Sequence, residues 1–305
     1  MTAPRALTIA GSDSGGGAGI QADLKTFQEL DVFGMSAIAA VTAQNTLGVH
    51  GVYPMTPQAV VAQIDAVGQD LGVDALKTGM LFDAAIIEAV AGRIRSFGWS
   101  RLVVDPVMIA KGGAELLRAE AVEALKRHLL PLALVVTPNI PEAEALTGMK
   151  IITMNDRREA ARRIAGLGPK VVVIKGGHAI DKAEAAKPQA EADDLKRQAI
   201  EAHFTDSKPT ESERVVDLVY DAQIRKFEEL SGARIATPHT HGTGCTFSAA
   251  ITARLAVGQD LQEAVRTARD FIQAAIEGAP ELALGSGHGP TAHWAYRKQH
   301  ADLQR

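Results

Sequence analysis

From residue 7 to residue 177 the chain alternates between two kinds of segment, and this alternation restricts it to one class of fold. The runs LTIAG (7–11), SAIAAVTA (36–43), DALKTG (74–79), RLVVDP (101–106), LALVVTP (132–138) and KVVVIKGG (170–177) are mostly apolar at successive positions. Strands of that kind are buried on both faces, as in a parallel sheet covered by helices. Between them lie amphipathic segments with recognisable starts: Thr56 and Pro57 before QAVVAQIDAVGQDLG, Asp83 before AAIIEAVAGRIRSFG, and Asn155 before DRREAARRIAGLG. Each begins with a capping residue and has a Gly near its end. Strand, helix and strand in repetition predict right-handed crossovers and an open, mostly parallel α/β sheet with helices on both faces.

Residues 181–214 interrupt the rhythm. This stretch is charged and contains two prolines, so it reads as a solvated, mobile excursion with some helix around 190–202. Alternating runs resume at VVDLVYD and ARIAT, and TFSAAITARLAVG and QDLQEAVRTARDFIQAAIEGA read as two consecutive helices. The expected organisation is a single domain, 1–305, carrying one inserted loop. With 46% hydrophobic and 22% charged residues, the chain is composed to bury a core rather than to remain disordered. A formal net charge of −4 provides no general basic field, so neither nucleic acid nor a membrane surface is an expected partner. The opening MTAPRALTIAGSDSGG has one Arg and few apolar residues before its glycines, unlike a secretory leader. No uncharged apolar run approaches the ~20 residues of a membrane span. With a single cysteine there is no intrachain disulfide and no cysteine-based zinc cluster, so a reducing, cytoplasmic location is expected.

Ligands of open parallel sheets bind beyond the carboxyl ends of the strands, which directs attention to the polar residues there. The first strand runs into GSDSGGGAGIQADLKTF, with four glycines at 15–19 before a helix start. Such a loop can bring backbone amides against an anion or a flat ligand, or simply form a tight turn. It fits neither GxxxxGK(S/T), because Lys25 comes too late, nor GxGxxG, because Ile20 replaces the third glycine. Gln44 and Asn45 follow the second run, Asp105 ends the fourth, Asn139 and Glu142 follow the fifth, and Lys175 ends the sixth. Singly, Asp105 before Pro106 suits a turn and Asn139–Glu142 a helix cap. Together they bring two carboxylates, an amide, an ammonium and a glycine loop to one sheet edge, a suitable place for a metal-bound polyphosphate.

The lone cysteine lies in HTHGTGC (239–245), ahead of apolar residues 247, 250, 251 and 255 at helical spacing. Gly242, Thr243, Gly244 and Cys245 should therefore form a helix N-terminus, whose free amides and dipole favour negative charge and ease thiolate formation. A phosphoryl group in transfer carries charge of that kind, and a thiolate could take a proton from an attacking hydroxyl. The alternative is a small buried cysteine filling a helix-packing gap. His239 and His241, without a third ligand, read as loop structure rather than a metal site.

Seven segments, GSDSGGGAGIQADLKTF, AQNTLGVHGVY, LKTGML, DPVMIAKGG, TPNIPEAEALTG, VIKGGH and HTHGTGCTFSAA, together resemble the hydroxymethylpyrimidine and phosphomethylpyrimidine kinases of thiamine biosynthesis. The resemblance covers about 6–180 and 215–290 and implies a ribokinase-like three-layer α/β/α fold. It implies two ATP-dependent transfers, to 4-amino-5-hydroxymethyl-2-methylpyrimidine and then to its monophosphate. By the same matching, Gln44 would hydrogen-bond the pyrimidine, with Gly11, Asp23, Met80 and the Val107 backbone around the ring. Asn139 and Glu142 would serve the Mg2+–ATP phosphates, Asp105 would act near the metal, and Lys175 would meet the transferred phosphates. Gly242, Thr243, Gly244 and Cys245 would form the anion hole, with Cys245 where many related sugar kinases carry an Asp base. A homodimer is also implied. The stretch 181–214 is longer than the resemblance leads one to expect, and KGG at 111–113 is a candidate hinge. Pyridoxal kinase activity is the enzymatic alternative, against which Gln44 and Met80 weigh. A non-catalytic sensor on the same fold should have lost Cys245, Lys175 or Glu142, and all three are present.

Overall fold

The computed structural model describes residues 3–108, 119–177 and 214–302. The candidate hinge 111–113 and the charged stretch, apart from Arg214, lie outside the described residues. The strands are β1 (Arg5–Asp13), β2 (Phe33–Asn45), β3 (Gly48–Pro54), β4 (Ala75–Thr78), β5 (Leu102–Val104), β6 (Val135–Val136), β7 (Val171–Ile174), β8 (Arg214–Asp221) and β9 (Lys226–Ala233). They form one sheet in the order β3-β2-β1-β4-β5-β6-β7-β8-β9. From β2 to β7 the neighbours are parallel, while β3, β8 and β9 pair antiparallel at the two edges.

Successive strand residues face opposite sides, which is why continuous apolar runs are needed here. Leu7, Ile9, Leu102, Val104, Val136, Val172 and Ile174 join one core. Ala6, Val103, Val135, Val171 and Val173 join the other. The first core is covered by α2 (Pro57–Asp70), α3 (Ala84–Phe97), α4 (Ala119–Ala124), α5 (Ile140–Thr147) and α6 (Met154–Ala165). Against the second pack α1 (Gly19–Glu29), α7 (Thr243–Ala256) and α8 (Leu261–Glu277), with the short α9 (Ala295–Asp302) beyond them. The result is the expected three-layer α/β/α arrangement. Among the described residues no helix is long and apolar enough to cross a membrane.

Local signals differ from the sequence reading in three places. The hairpin strand β3 continues directly from β2, its register running from Asn45 opposite Gly48 to Ala40 opposite Pro54. Strand β9 is not ARIAT but the preceding KFEELSGA. A tight turn follows β8 at once, with Asp221 Oδ1 accepting from the Gln223 and Ile224 amides and Arg225 at φ 53°. The partner strand therefore begins at Lys226. Helix α6 is capped by Thr153 rather than Asn155: Thr153 Oγ1 accepts from the Asp156 amide while the Asp156 carboxylate accepts from the Thr153 amide. That reciprocal pair satisfies two orphan donors where Asn155 would satisfy one.

The chain's last described turns are fastened to α7 by His293, which is 3% exposed and has Nε2 3.1 Å from Thr246 Oγ1. Burial lowers its pKa from 6.5 to about 4. Because the folded value lies below the unfolded one, the stability present above pH 6.5 is lost as pH falls toward 4. The loss by pH 4.5 should be about 2 kcal/mol. Urea unfolding at pH 7 and pH 4.5 should show a smaller pH difference for His293→Gln than for wild type; an undiminished difference would place the acid sensitivity elsewhere.

Candidate active site

The carboxyl ends of the parallel strands meet two glycine-rich segments. In the first, the amides of Gly15, Gly17 and Ala18 are aimed at the Asp13 carboxylate, at 2.8, 3.1 and 2.8 Å. The loop, open in the sequence between a ligand cradle and a tight turn, closes on a carboxylate of its own as an Asx-type turn. His241 Nε2 reaches the same carboxylate at 2.9 Å. Burial alone would raise the Asp13 pKa, but the His241 hydrogen bond and the loop amides bring it below the usual range. Gly242 sits beside this turn at φ +82°, where a side chain would run into the carbonyl oxygen of Gly17. The start of α7 is thereby pressed against the glycine turn.

Thr243, Gly244 and Cys245 form the first turn of α7, where backbone amides have no intrahelical acceptor. Lys175 and Asp105 converge on the same turn. A Cβ placed on Gly244 would lie 3.2 Å from Lys175 Nζ and 3.7 Å from Asp105 Oδ2. Lys175 Nζ is 3.0 Å from Asp105 Oδ1, and Thr137 Oγ1 donates to that oxygen at 3.3 Å. Asn139 and Glu142 do form a capping box at the start of α5, each side chain accepting the other's amide at 2.8 Å. Cap and site coincide, because Glu142 is also buried beside the charged pair. Burial pushes its pKa to about 7, Lys175 opposing and Asp105 reinforcing the shift. Burial disfavours the Lys175 ammonium, yet Asp105 and Glu142 raise its pKa above the ordinary value.

A second ion pair lies under the site floor. Lys77 Nζ on β4 is 2.8 Å from Asp23 Oδ1 on α1, with both side chains fully buried. Thr8 Oγ1 donates to Asp23 Oδ2 at 2.6 Å. Asp23, expected beside a substrate ring, is thus a buried counter-ion: it stands one turn into α1, on the side that faces β1 and β4. Burial disfavours charge on Lys77, but Asp23, Cys245 and Asp105 raise its pKa above the ordinary value. The Cys245 thiol accepts the Gly19 amide, and Lys77 and this bond pull its pKa down, but burial dominates and pushes it up to about 12. The helix-terminus field was expected to ease thiolate formation. Desolvation and the carboxylates of Asp23 and Asp105 outweigh it.

At the end of β1, Gly11 lies under Met80, whose methyl occupies the space a Cβ would need. Val107 lies two residues beyond Asp105, its amide bonded to the Asp105 carbonyl at 2.9 Å. Gln44 is half-buried. Its backbone exchanges two 2.8 Å hydrogen bonds with Ser14 Oγ, and its amide reaches Thr42 Oγ1 and His241 Nε2, each at 3.2 Å. Sequence reasoning missed Asp13, His241 and Lys77. Lys77 left one trace, a charge inside an apolar run, which in a two-sided strand requires a buried partner. Asp13 ahead of three glycines was an Asx-turn signal.

The profile of the family described as phosphomethylpyrimidine kinase matches residues 13–292. The hydroxymethylpyrimidine/phosphomethylpyrimidine kinase of Bacillus subtilis is 50% identical over the whole of both chains. That of Haemophilus influenzae is 52% identical over 96% of this chain and 97% of its own. A crystal structure of an ADP complex of Bacillus subtilis pyridoxal kinase superposes with a TM-score of 0.80 at 41% identity, covering 97% of this chain and 99% of that one.

Removing one member of the Lys77–Asp23 pair leaves the other buried without a counter-charge. Lys77→Met should cost about 3–5 kcal/mol in chemical denaturation. Adding Asp23→Leu should restore most of that loss; a double variant as unstable as the single one would mean that shape rather than charge governs the position.

Proposed function

The chain belongs to the phosphomethylpyrimidine kinase family, and on that premise we propose that it phosphorylates 4-amino-5-hydroxymethyl-2-methylpyrimidine and then its monophosphate to the diphosphate, with ATP as donor, in thiamine biosynthesis. The observation that carries this reading is the approach of Lys175 and Asp105 to the α7 turn that holds Cys245. First-turn amides and a buried ammonium are suited to the spread negative charge of a phosphoryl group in transfer. Lys175 takes the contact with the transferred phosphates, and the amides of Gly242 to Cys245 form the anion hole. Gln44, with Gly11, Met80 and the Val107 backbone, takes the pyrimidine.

Asp105 and Glu142 suit Mg2+. They are hard oxygen donors, and they leave one ammonium, Lys175, between two carboxylates close enough for Asp105 to raise the Glu142 pKa. When bound there, with Asn139 alongside, the ion would neutralise phosphate charge. Asn139 Oδ1 is already held by the Glu142 amide, which leaves its NH2 group for the nucleotide. A homodimer and a cytoplasmic location accompany the reading on the family resemblance alone.

Cys245 is the candidate base for the first transfer, in which an alcohol must lose a proton; the second uses a phosphate oxygen that is already anionic. With its thiol at about 12, thiolate is scarce near neutrality and increases as pH rises. A first-transfer rate that climbs with pH in wild type but not in Cys245→Ala is therefore expected. Cys245→Ala should slow the first step roughly 10²-fold or more and the second much less. Equal losses would assign Cys245 to the anion hole or to packing.

The similarity to a pyridoxal kinase structure keeps vitamin B6 as the second reading. Mass spectrometry of products after incubation with Mg2+–ATP and, separately, hydroxymethylpyrimidine, pyridoxal and ribose distinguishes the two. Conversion of the pyrimidine through monophosphate to diphosphate is expected; pyridoxal phosphate alone would move the chain to the B6 branch, and no product would overturn the kinase reading.

A further inference from the structure

His241 is only 13% exposed, and its ring touches both Asp13 and Gln44. The hydrogen bonds around it determine which way the Gln44 amide faces. Asp13 accepts from three backbone amides and stays ionised, so it is acceptor-only and His241 Nε2 must carry the proton between them. That nitrogen then has no lone pair for an NH2 group. If the Gln44 nitrogen faces His241, two donors meet at 3.2 Å. On the other side, Thr42 Oγ1 would have to give its single proton to Gln44 Oε1 at 3.2 Å while also giving it to the Ser12 carbonyl at 2.9 Å. A half-turn about the Gln44 Cγ–Cδ bond, which exchanges two nearly isosteric atoms, removes the donor–donor contact and leaves the Thr42 proton to Ser12. The carbonyl oxygen then takes the weaker share of the single Nε2 proton, in a three-centre bond with Asp13 at 2.9 Å and Gln44 at 3.2 Å, and the NH2 group donates to Thr42, whose proton remains with Ser12.

We infer that His241, held by Asp13, is a positioning residue that sets the donor and acceptor order of the Gln44 amide and so selects an aminopyrimidine over a hydroxypyridine ring. The amide keeps one N–H and one lone pair for a ligand, in a fixed order. An aminopyrimidine offers the complement on adjacent atoms, a ring nitrogen that accepts and an exocyclic amine that donates, as in the bidentate pairing of Gln with adenine. The pyridine ring of vitamin B6 has methyl and C–H groups beside its nitrogen and offers no such adjacent pair. A site built to hydrogen-bond its substrate rejects an analogue lacking the groups because its own buried atoms are left unsatisfied. The inference rests on the hydroxymethylpyrimidine kinase reading of this site.

The test compares kcat/KM for hydroxymethylpyrimidine and for pyridoxine in wild type, His241→Phe, His241→Gln and Thr42→Val. His241→Phe keeps a flat ring and loses the N–H. It should lower kcat/KM for the pyrimidine by roughly 10–100-fold, mostly through KM, leave the KM for ATP unchanged, and shrink the preference over pyridoxine at least tenfold. His241→Gln retains a donor for both neighbours and should stay within a few-fold of wild type. Thr42→Val, nearly isosteric, removes the acceptor of the NH2 group and should shift the preference in the same direction even if His241→Phe fails to fold. Equal falls for the two alcohols, or a Phe variant that outperforms the Gln variant, would reduce His241 to a packing residue and overturn the inference. A wild-type protein inactive on the pyrimidine would instead sink the kinase reading, and this inference with it.

Discussion

The Asp13 carboxylate is the contact on which the arrangement of the site depends. It gathers three amides of the glycine turn and the ring of His241, joining the end of β1 to the segment that leads into α7. Because Gly17 and Gly242 come close enough to exclude any side chain from Gly242, the first turns of α1 and α7 are brought together. The thiol of Cys245 then receives an amide from one helix while standing at the start of the other. A buried carboxylate can hold these parts because unsatisfied amides in a dry turn would be costly and it satisfies several at once.

Charge is distributed around that junction in two tiers. Lys77 and Asp23 form a closed pair below, neutral overall and fully desolvated. Above, Lys175 stands between Asp105 and Glu142, and burial, reinforced by Asp105 and opposed by Lys175, raises the Glu142 pKa to about 7. The lower pair contributes to the site from a distance, since Lys77 opposes the upward shift of the Cys245 thiol. Burial keeps the Cys245 thiol protonated near neutrality.

Much of the site was legible as a list of strand ends. Asp105, Lys175, Asn139 and Glu142 each follow an apolar run, and in a parallel sheet such residues come to one edge whatever the details of the loops. Less was legible where side chains point. Asp23 belongs to the same segment as Gly11, yet its position within α1 turns it toward Lys77, with which it forms a fully buried pair. His241 looked like loop structure because its partners, Asp13 and Gln44, lie 228 and 197 residues away, a separation that no local pattern reports. The direction of the Cys245 shift was misjudged for a similar reason: the helix N-terminus is visible in the spacing, whereas the degree of desolvation depends on what packs around it.

The amino-acid sequence by itself determined the alternation of two-sided strands and amphipathic helices, and with it the parallel sheet, the two cores and the edge where polar residues collect. Those follow from periodicity and from the requirement that apolar faces be buried. Tertiary structure alone decided which of those polar residues meet, which are sealed below the surface, and which charge each carries. Such outcomes depend on distances of a few ångströms between segments remote in the chain, and on the dielectric those segments create around one another.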